Sequence, residues 1–351
     1  MGGDYASSVN PMRETPGAWR RTAIGAGLMS PDESAGARPR WGSAANPRQA
    51  GTRPTIFAEM SALAAQTGAI NLAQGFPDED APAAVLEAAR AAIAHGVNQY
   101  PPGRGIPDLL FAIAEHQQRF YRQQLDPQRN VLVTAGATEA LAATLLALLD
   151  GPQDDVVVFE PFYDSYAAVV ALAGARLVTV PLRWPDFQPD LDELRAAVSD
   201  RTRVILVNDP HNPTGAVFSR ELQDEVIRLA ERHDAVIVTG LRLPDAFFQS
   251  IAQTLRDKRD LLGSGLRAAG FEVSVAAGSY FTVADAAPLG ATDAAEFCRA
   301  LPDRAGVVAI PLTAFVGASR RAEYATLVRF AACKRVSVLE EAASRLAAHN
   351  S

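Results

Sequence analysis

The stretch Arg203-Val-Ile-Leu-Val-Asn-Asp-Pro-His-Asn-Pro-Thr-Gly215 decides the fold. Residues 203–208 are a short β-rich run and read as a strand. Two Asn and two Pro within the eight residues 208–215 then end that strand in a fixed loop. A loop at the C-terminal end of a parallel strand is where open α/β sheets place their ligands. On composition alone the same cluster also reads as a plain turn.

Outward from that strand, β-rich runs alternate with helical patterns. Residues 131–134, 156–159 and 177–180 read as strands before it, and 235–239 as a fifth strand after it. Helical spacing covers 138–149, 164–173, 190–199 and 219–233, the last with Ser219 as its N-cap. This alternation predicts an α/β fold, a mostly parallel sheet with helices on both faces. Upstream, 56–63, 81–94 and 107–124 read as helices, the last two separated by the breaker run Tyr100-Pro-Pro-Gly-Arg-Gly105. After Thr239 the pattern changes to a long helix over 244–269, short strands near 272–275, 278–283, 306–310 and 328–332, and a last helix from Ser337. That is a smaller α+β domain. The expected division is a disordered tail over 1–52, an N-terminal arm over 53–94, a large domain over 95–240 and a small domain over 241–351.

Composition narrows the function. Apolar residues make up 48% and charged residues 21%, ordinary for a soluble globular protein. A formal charge of −7 and a pI near 5.4 argue against a nucleic-acid surface. No apolar run approaches the ~18–20 residues of a membrane span. Arg20-Arg21 ahead of residues 22–29 faintly resembles a twin-arginine signal, but the apolar stretch is short and no cleavage pattern follows. Two cysteines, Cys298 and Cys333, make no disulfide framework, so the expected compartment is the cytoplasm. The five histidines show no ligand spacing, and no metal site is expected.

Three further pieces carry chemistry. Gly136 permits a tight turn, and the N–H groups of Ala137 and Thr138 open a helix, which makes an anion site suited to phosphate. Many helices start with a small residue and Thr, so the feature alone is weak. Glu160-Pro-Phe-Tyr-Asp-Ser-Tyr166 places aromatics just past a strand, where they stack on a planar ring or pack under a loop. Arg329 falls inside the apolar run Leu327-Val-Arg-Phe-Ala331 and needs a partner; it suits bidentate carboxylate recognition, or a surface ion pair at a strand edge.

Taken together, Asn71-Leu-Ala-Gln-Gly-Phe-Pro-Asp78, Asn98-Gln-Tyr-Pro-Pro-Gly-Arg-Gly105, Gly136-Ala-Thr-Glu-Ala140, Glu160–Tyr166, His211-Asn-Pro-Thr-Gly215 and Val328-Arg-Phe330 resemble one family in order and spacing. It is the fold-type I, class I/II pyridoxal-phosphate (PLP) aminotransferases, in the kynurenine and N-succinyl-diaminopimelate aminotransferase subgroup. The resemblance implies an amino-acid donor, a 2-oxo acid acceptor, PLP and a homodimer. It implies that Gly136, Ala137 and Thr138 hold the cofactor phosphate, Tyr163 stacks on the ring and Asn212 bonds its 3′-oxygen. Tyr100 would reach the neighbouring subunit's phosphate, and Arg329 with the backbone at Gly75 would hold the substrate carboxylate. Asp209 departs from the subgroup and would sit unfavourably near a phosphate. Phe76, Tyr280 and Phe281 read as pocket wall or as core.

The resemblance breaks at one place. In the family, strand five supplies an Asp for the pyridine nitrogen, and a lysine further on holds the cofactor as a Schiff base. Here residues 235–239 run straight into Gly240-Leu-Arg-Leu-Pro-Asp-Ala246, which resembles the start of the small domain. The chain has two lysines: Lys258, expected on a solvated helix face, and Lys334; neither matches the catalytic position. The ordered part is roughly a quarter shorter than the family's domain pair. An internal deletion would remove two central strands and leave unpaired edges, an unstable large domain unless strand five re-pairs with strand one. The expected function is an aminotransferase by family, inactive as written. The alternatives are a non-catalytic ligand-binding or dimerising remnant, or an intact enzyme misrepresented by a gene-model error.

Overall fold

Runs of Val and Ile build the central sheet. In the computed structural model, which describes residues 56–240, 246–274 and 276–349, β2 (Asp155–Glu160) is buried at every position and lies inside the sheet. Its neighbours are β3 (Arg176–Pro181) and β4 (Thr202–Asn208), and β5 (Val236–Gly240) follows, in the order β3-β2-β4-β5 with every pair parallel. Alternation sends Val156, Val158, Val204 and Leu206 to one face, against α4 (Ala137–Leu148) and α5 (Ser165–Ala173). Val157, Phe159 and Ile205 go to the other, against α6 (Leu191–Ala197) and α7 (Arg220–His233). α7 is amphipathic: Leu222, Val226 and Leu229 recur at helical spacing and are buried, and the Ser219 hydroxyl accepts from Leu222 N at 3.1 Å.

The second layer is antiparallel. β6 (Glu272–Val273), β7 (Phe281–Asp285), β9 (Ile310–Pro311) and β10 (Leu327–Ala331) run in the order β6-β7-β10-β9. α8 (Ala246–Ala268) and α10 (Val336–His349) pack on it through Leu262, Leu266, Leu339 and Leu346. α9 (Ala294–Ala305) joins the same core and leads into β8 (Val307–Val308), which pairs in parallel with β1 (Ile70–Asn71) beside α1 (Ile56–Thr67). Neither β1 nor its pairing is visible in the sequence, since two residues carry no periodicity. The parallel sheet and its covering helices are as expected, and the antiparallel pairing of the later strands is added by the structure. The tail over 1–52 and the junction residues 241–245 lie outside the described residues.

Residues 131–134 correct an expectation. They are extended but belong to no sheet; Val133 N donates to Arg104 O at 2.9 Å, and the Arg104 guanidinium donates to Val131 O at 3.0 Å. A β-rich run becomes a strand only beside a partner, and among the described residues β5 hydrogen-bonds to β4 alone. The re-pairing of strand five with strand one is therefore not formed. Outside the sheet, α3 (Pro107–Tyr121) buries Leu110 and Ala114, while α2 (Ala83–Ala94) buries no residue at all.

Candidate functional site

A cavity of about 880 Å³ opens at the C-terminal ends of β4 and β5, between the start of α4 and the antiparallel layer. It gathers Gly75, Ala137, Thr138, Tyr163, Asn212 and Arg329. Gly136 stands one residue back, as the N-cap of α4 with φ 87°, and provides no side-chain cap. The first N–H groups of a helix have no intrahelical partner, so Ala137 and Thr138 present a partial positive charge to the cavity. Tyr100 is not brought in: it is fully exposed and lines no part of this cavity.

Arg329 comes from the middle of β10, between β7 and β9, and is 2% exposed. Its Nη2 donates to Ala73 O at 2.8 Å and its Nη1 to Asn212 Oδ1 at 3.3 Å. Nε has no partner among the described residues. The guanidinium carbon lies 4.1 Å from the ring centre of Phe281, 4.7 Å from Phe315 and 5.5 Å from Phe57. Burial pushes its pKa down to about 9, opposed by the nearby Tyr280, Cys333, Asp164 and Tyr163, so the group stays cationic at neutral pH. A buried cation with an unused N–H and no carboxylate bonded to it is built to receive an anion.

The loop after β4 is held by its own polar atoms. His211 N donates to Ala216 O and Gly215 N to His211 O, both at 2.7 Å, and the His211 ring meets Thr214 Oγ1 at 2.8 Å. These bonds turn Asn212 toward Arg329. Asp209 is directed away from the anion site, accepting from Phe218 N at 3.1 Å and Gln223 Nε2 at 3.3 Å. Asp209 does not line the cavity. Phe76, Tyr280 and Phe281 all line the cavity, and Phe281, with Tyr280 packed against it, is also part of a buried apolar cluster. Gly75 meets Tyr280 and Phe281 so closely that an added Cβ would stand 2.7 Å from a Tyr280 ring carbon.

Other wall residues escaped the sequence. Phe57 sits on α1 without a motif around it, and Val238 and Thr239 on β5 looked like plain strand residues. Asp164 and Tyr166 lay inside a motif already singled out, and Asn208 at a strand end; those were the available signals. Among the described residues Asp164 is the sole carboxylate in the wall.

Neither lysine lines the cavity. Lys258 is 4% exposed and pairs with Glu79 at 2.8 Å. The expected solvated helix face is therefore wrong: α8 turns this position inward, and the Glu79 carboxylate compensates the buried ammonium. Lys334 Nζ donates to Phe76 O at 2.6 Å and rests 3.9 Å from the centre of the Phe76 ring; burial lowers its pKa. No helix among the described residues is long and apolar enough to cross a membrane.

Comparison with known proteins places this geometry. The sequence profile of the family described as aminotransferase class I and II matches residues 67–240. A probable N-succinyldiaminopimelate aminotransferase of Mycobacterium tuberculosis is 41% identical over 379 residues, covering 83% of this chain and 95% of the relative. The methionine aminotransferase of Escherichia coli is 32% identical over 370 residues, with the same coverage of 83% and 95%. The solved structure of the N-succinyldiaminopimelate aminotransferase from Mycobacterium tuberculosis superposes with a TM-score of 0.81 at 39% identity, covering 86% of this chain and 99% of that one. The chain belongs to the class I and II aminotransferases, fold-type I enzymes that use PLP to pass an amino group between amino acids and 2-oxo acids.

Proposed function

We propose that this chain is a non-catalytic member of its family, a protein that binds anionic ligands in the cavity and does not carry PLP covalently. The observation that carries this is the placement of Lys258 and Lys334. They are the only lysines of the chain, and both ammonium groups are engaged outside the cavity. The residues present fit two ends of PLP: Ala137 and Thr138, with Gly136 behind them, suit the phosphate, and Tyr163 and Asn212 suit the ring and its 3′-oxygen. They do not fit the aldehyde, for which no lysine lines the cavity, and at the end of β5 the wall residues Val238 and Thr239 carry no carboxylate that would hold the pyridine nitrogen.

An internal loss at Gly240 is part of the same reading. It is supported by the family profile ending at residue 240, where β5 ends. It is also supported by an alignment with the Mycobacterium relative that runs over 379 residues, longer than the whole chain, while using 83% of it. The boundaries 53–94, 95–240 and 241–351 are proposed with it, on the separation of the two sheets. Two free, buried cysteines support a reducing cytoplasmic setting. A homodimer is favoured by α2, which at 12 residues buries nothing and is too short to be stable without packing. Tyr100, wholly exposed beyond it, would then meet the partner's cavity.

The direct test is an amino-transfer assay with PLP, L-glutamate or L-methionine as donor, and 2-oxo acids as acceptors. Rates no higher than those of PLP in buffer are expected. Turnover that saturates with protein-bound PLP would sink the proposal.

A further inference from the structure

We infer that residues 74–79 form a strap along the rim of the cavity, and that Lys258, Lys334 and Arg335 are positioning residues that fasten it. The inference goes beyond the non-catalytic reading and does not rest on it, because the three fastening groups lie outside the cavity.

The strap begins where regular pairing stops. Leu72 is still bonded through its backbone on both sides, donating to Val308 O and accepting from Ala331 N, each at 2.8 Å. Among the described residues, 74–81 then make no backbone-to-backbone hydrogen bond, and α2, which follows, buries none of its residues. A segment of this kind is held by side-chain contacts or opens locally. Here the contacts are cationic and come from the antiparallel layer and its helices. Lys258 of α8 is 4% exposed and donates to Glu79 at 2.8 Å. Lys334, just after β10, donates to Phe76 O at 2.6 Å and rests 3.9 Å from the centre of the same ring, so it fixes both peptide and side chain. Arg335 holds the Asp78 carboxylate with its backbone N–H at 2.7 Å and with Nε at 3.5 Å. Both lysines of the chain thus serve one segment of six residues. The face they fix is wall, since Gln74, Gly75 and Phe76 line the cavity. Releasing Glu79 would leave the Lys258 ammonium buried without a counter-charge, and the fasteners share one short segment, so they hold or let go together.

Acetylation of the full chain by trace acetic anhydride, without PLP and with each site read by mass spectrometry, tests this coupling. Both lysines should react slowly in the wild type. Glu79 is not among the groups bonded to Lys334, yet Glu79→Gln should make Lys334 react at least about threefold faster, the scale of coupling within one ion-pair network. Asp78→Ala should speed both lysines, and it gives the same reading where Glu79→Gln does not fold. Cys298, 0% exposed in the core, reports folding through its reaction with a disulfide reagent. Cys333, whose thiol feels the charges of Lys334, Asp78 and Lys258, should gain reactivity in Glu79→Gln while Cys298 stays protected. Glu231→Gln removes the same charge from α7 and should change neither lysine. An unchanged Lys334 rate in both strap variants would mean isolated contacts and would overturn the strap. Two variants in which Cys298 reacts as well would make these pairs part of the core's stability and overturn it likewise. Lysines that react in the wild type as fast as in the unfolded chain would show that nothing fastens the segment.

Discussion

Arg329 stands in the middle of an apolar strand, and the three rings around it explain how it is tolerated. Cation–π attraction supplies up to ~2 kcal/mol at a desolvated site, against a burial penalty of several kcal/mol for an ion without a counter-charge. Arg329→Met, similar in volume and uncharged, should leave stability unchanged or raise it by about 1–4 kcal/mol in chemical denaturation, while carboxylate binding is lost. A loss of more than about 3 kcal/mol would show that the guanidinium organises the fold and is not held ready for a ligand. His211 makes a pH prediction. Burial lowers its pKa to about 3, so between that value and the ordinary 6.5 the unfolded chain binds a proton that the folded chain does not. Stability from this residue is therefore lost as pH falls below about 6.5, with a slope approaching 1.4 kcal/mol per pH unit. His211→Asn should flatten the melting temperature between pH 6.5 and 5, above the range where carboxylates contribute; an unchanged slope would assign the acid sensitivity elsewhere. Gly215 adopts φ +74°, and a Cβ there would meet Ala276 at 2.9 Å and the carbonyls of Gly278 and Phe281 at 3.0 Å. Gly215→Ala should cost about 1–3 kcal/mol in urea denaturation. At this scale the motif residues were legible because each carries local chemistry. Lys258 was not, because the carboxylate that allows its burial, Glu79, lies 179 residues away in sequence.

The exposed edge of the parallel sheet is the liability among the elements. β5 offers one side to β4 and, among the described residues, has no strand on the other, with Val236 37% exposed. Open, apolar edges pair with other chains. Val236→Lys should lower the aggregation rate seen by light scattering on warming, with little change in melting temperature. Aggregation at the wild-type rate would mean that another surface, such as α2 with Val85 and Ile93 exposed, drives association. The strands β2, β3, β4 and β5 and the helix α7 could be read directly, because period and capping are local. Residues 131–134 misled because their composition is that of a strand, whereas strand formation depends on a neighbour that local sequence does not reveal.

The whole molecule divides its stability between two layers. β10 is buried at every position and paired on both sides, while among the described residues β5 has one strand partner and residues 131–134 have none. Amide hydrogen exchange should find β7 and β10 protected longest and β5 with residues 131–134 exchanging first, through local openings; uniform protection across both layers would contradict the unequal division. Sedimentation should give a homodimer if α2 is covered, and a monomer would remove Tyr100 from the site. Neither lysine serves the cavity. The chain should be incubated with PLP, reduced with borohydride, digested and mapped by mass spectrometry. The account predicts no stoichiometric phosphopyridoxyl adduct on either lysine. A stoichiometric adduct at Lys258 or Lys334 would mean that one of them leaves its partner to serve the cavity, and the account would be wrong.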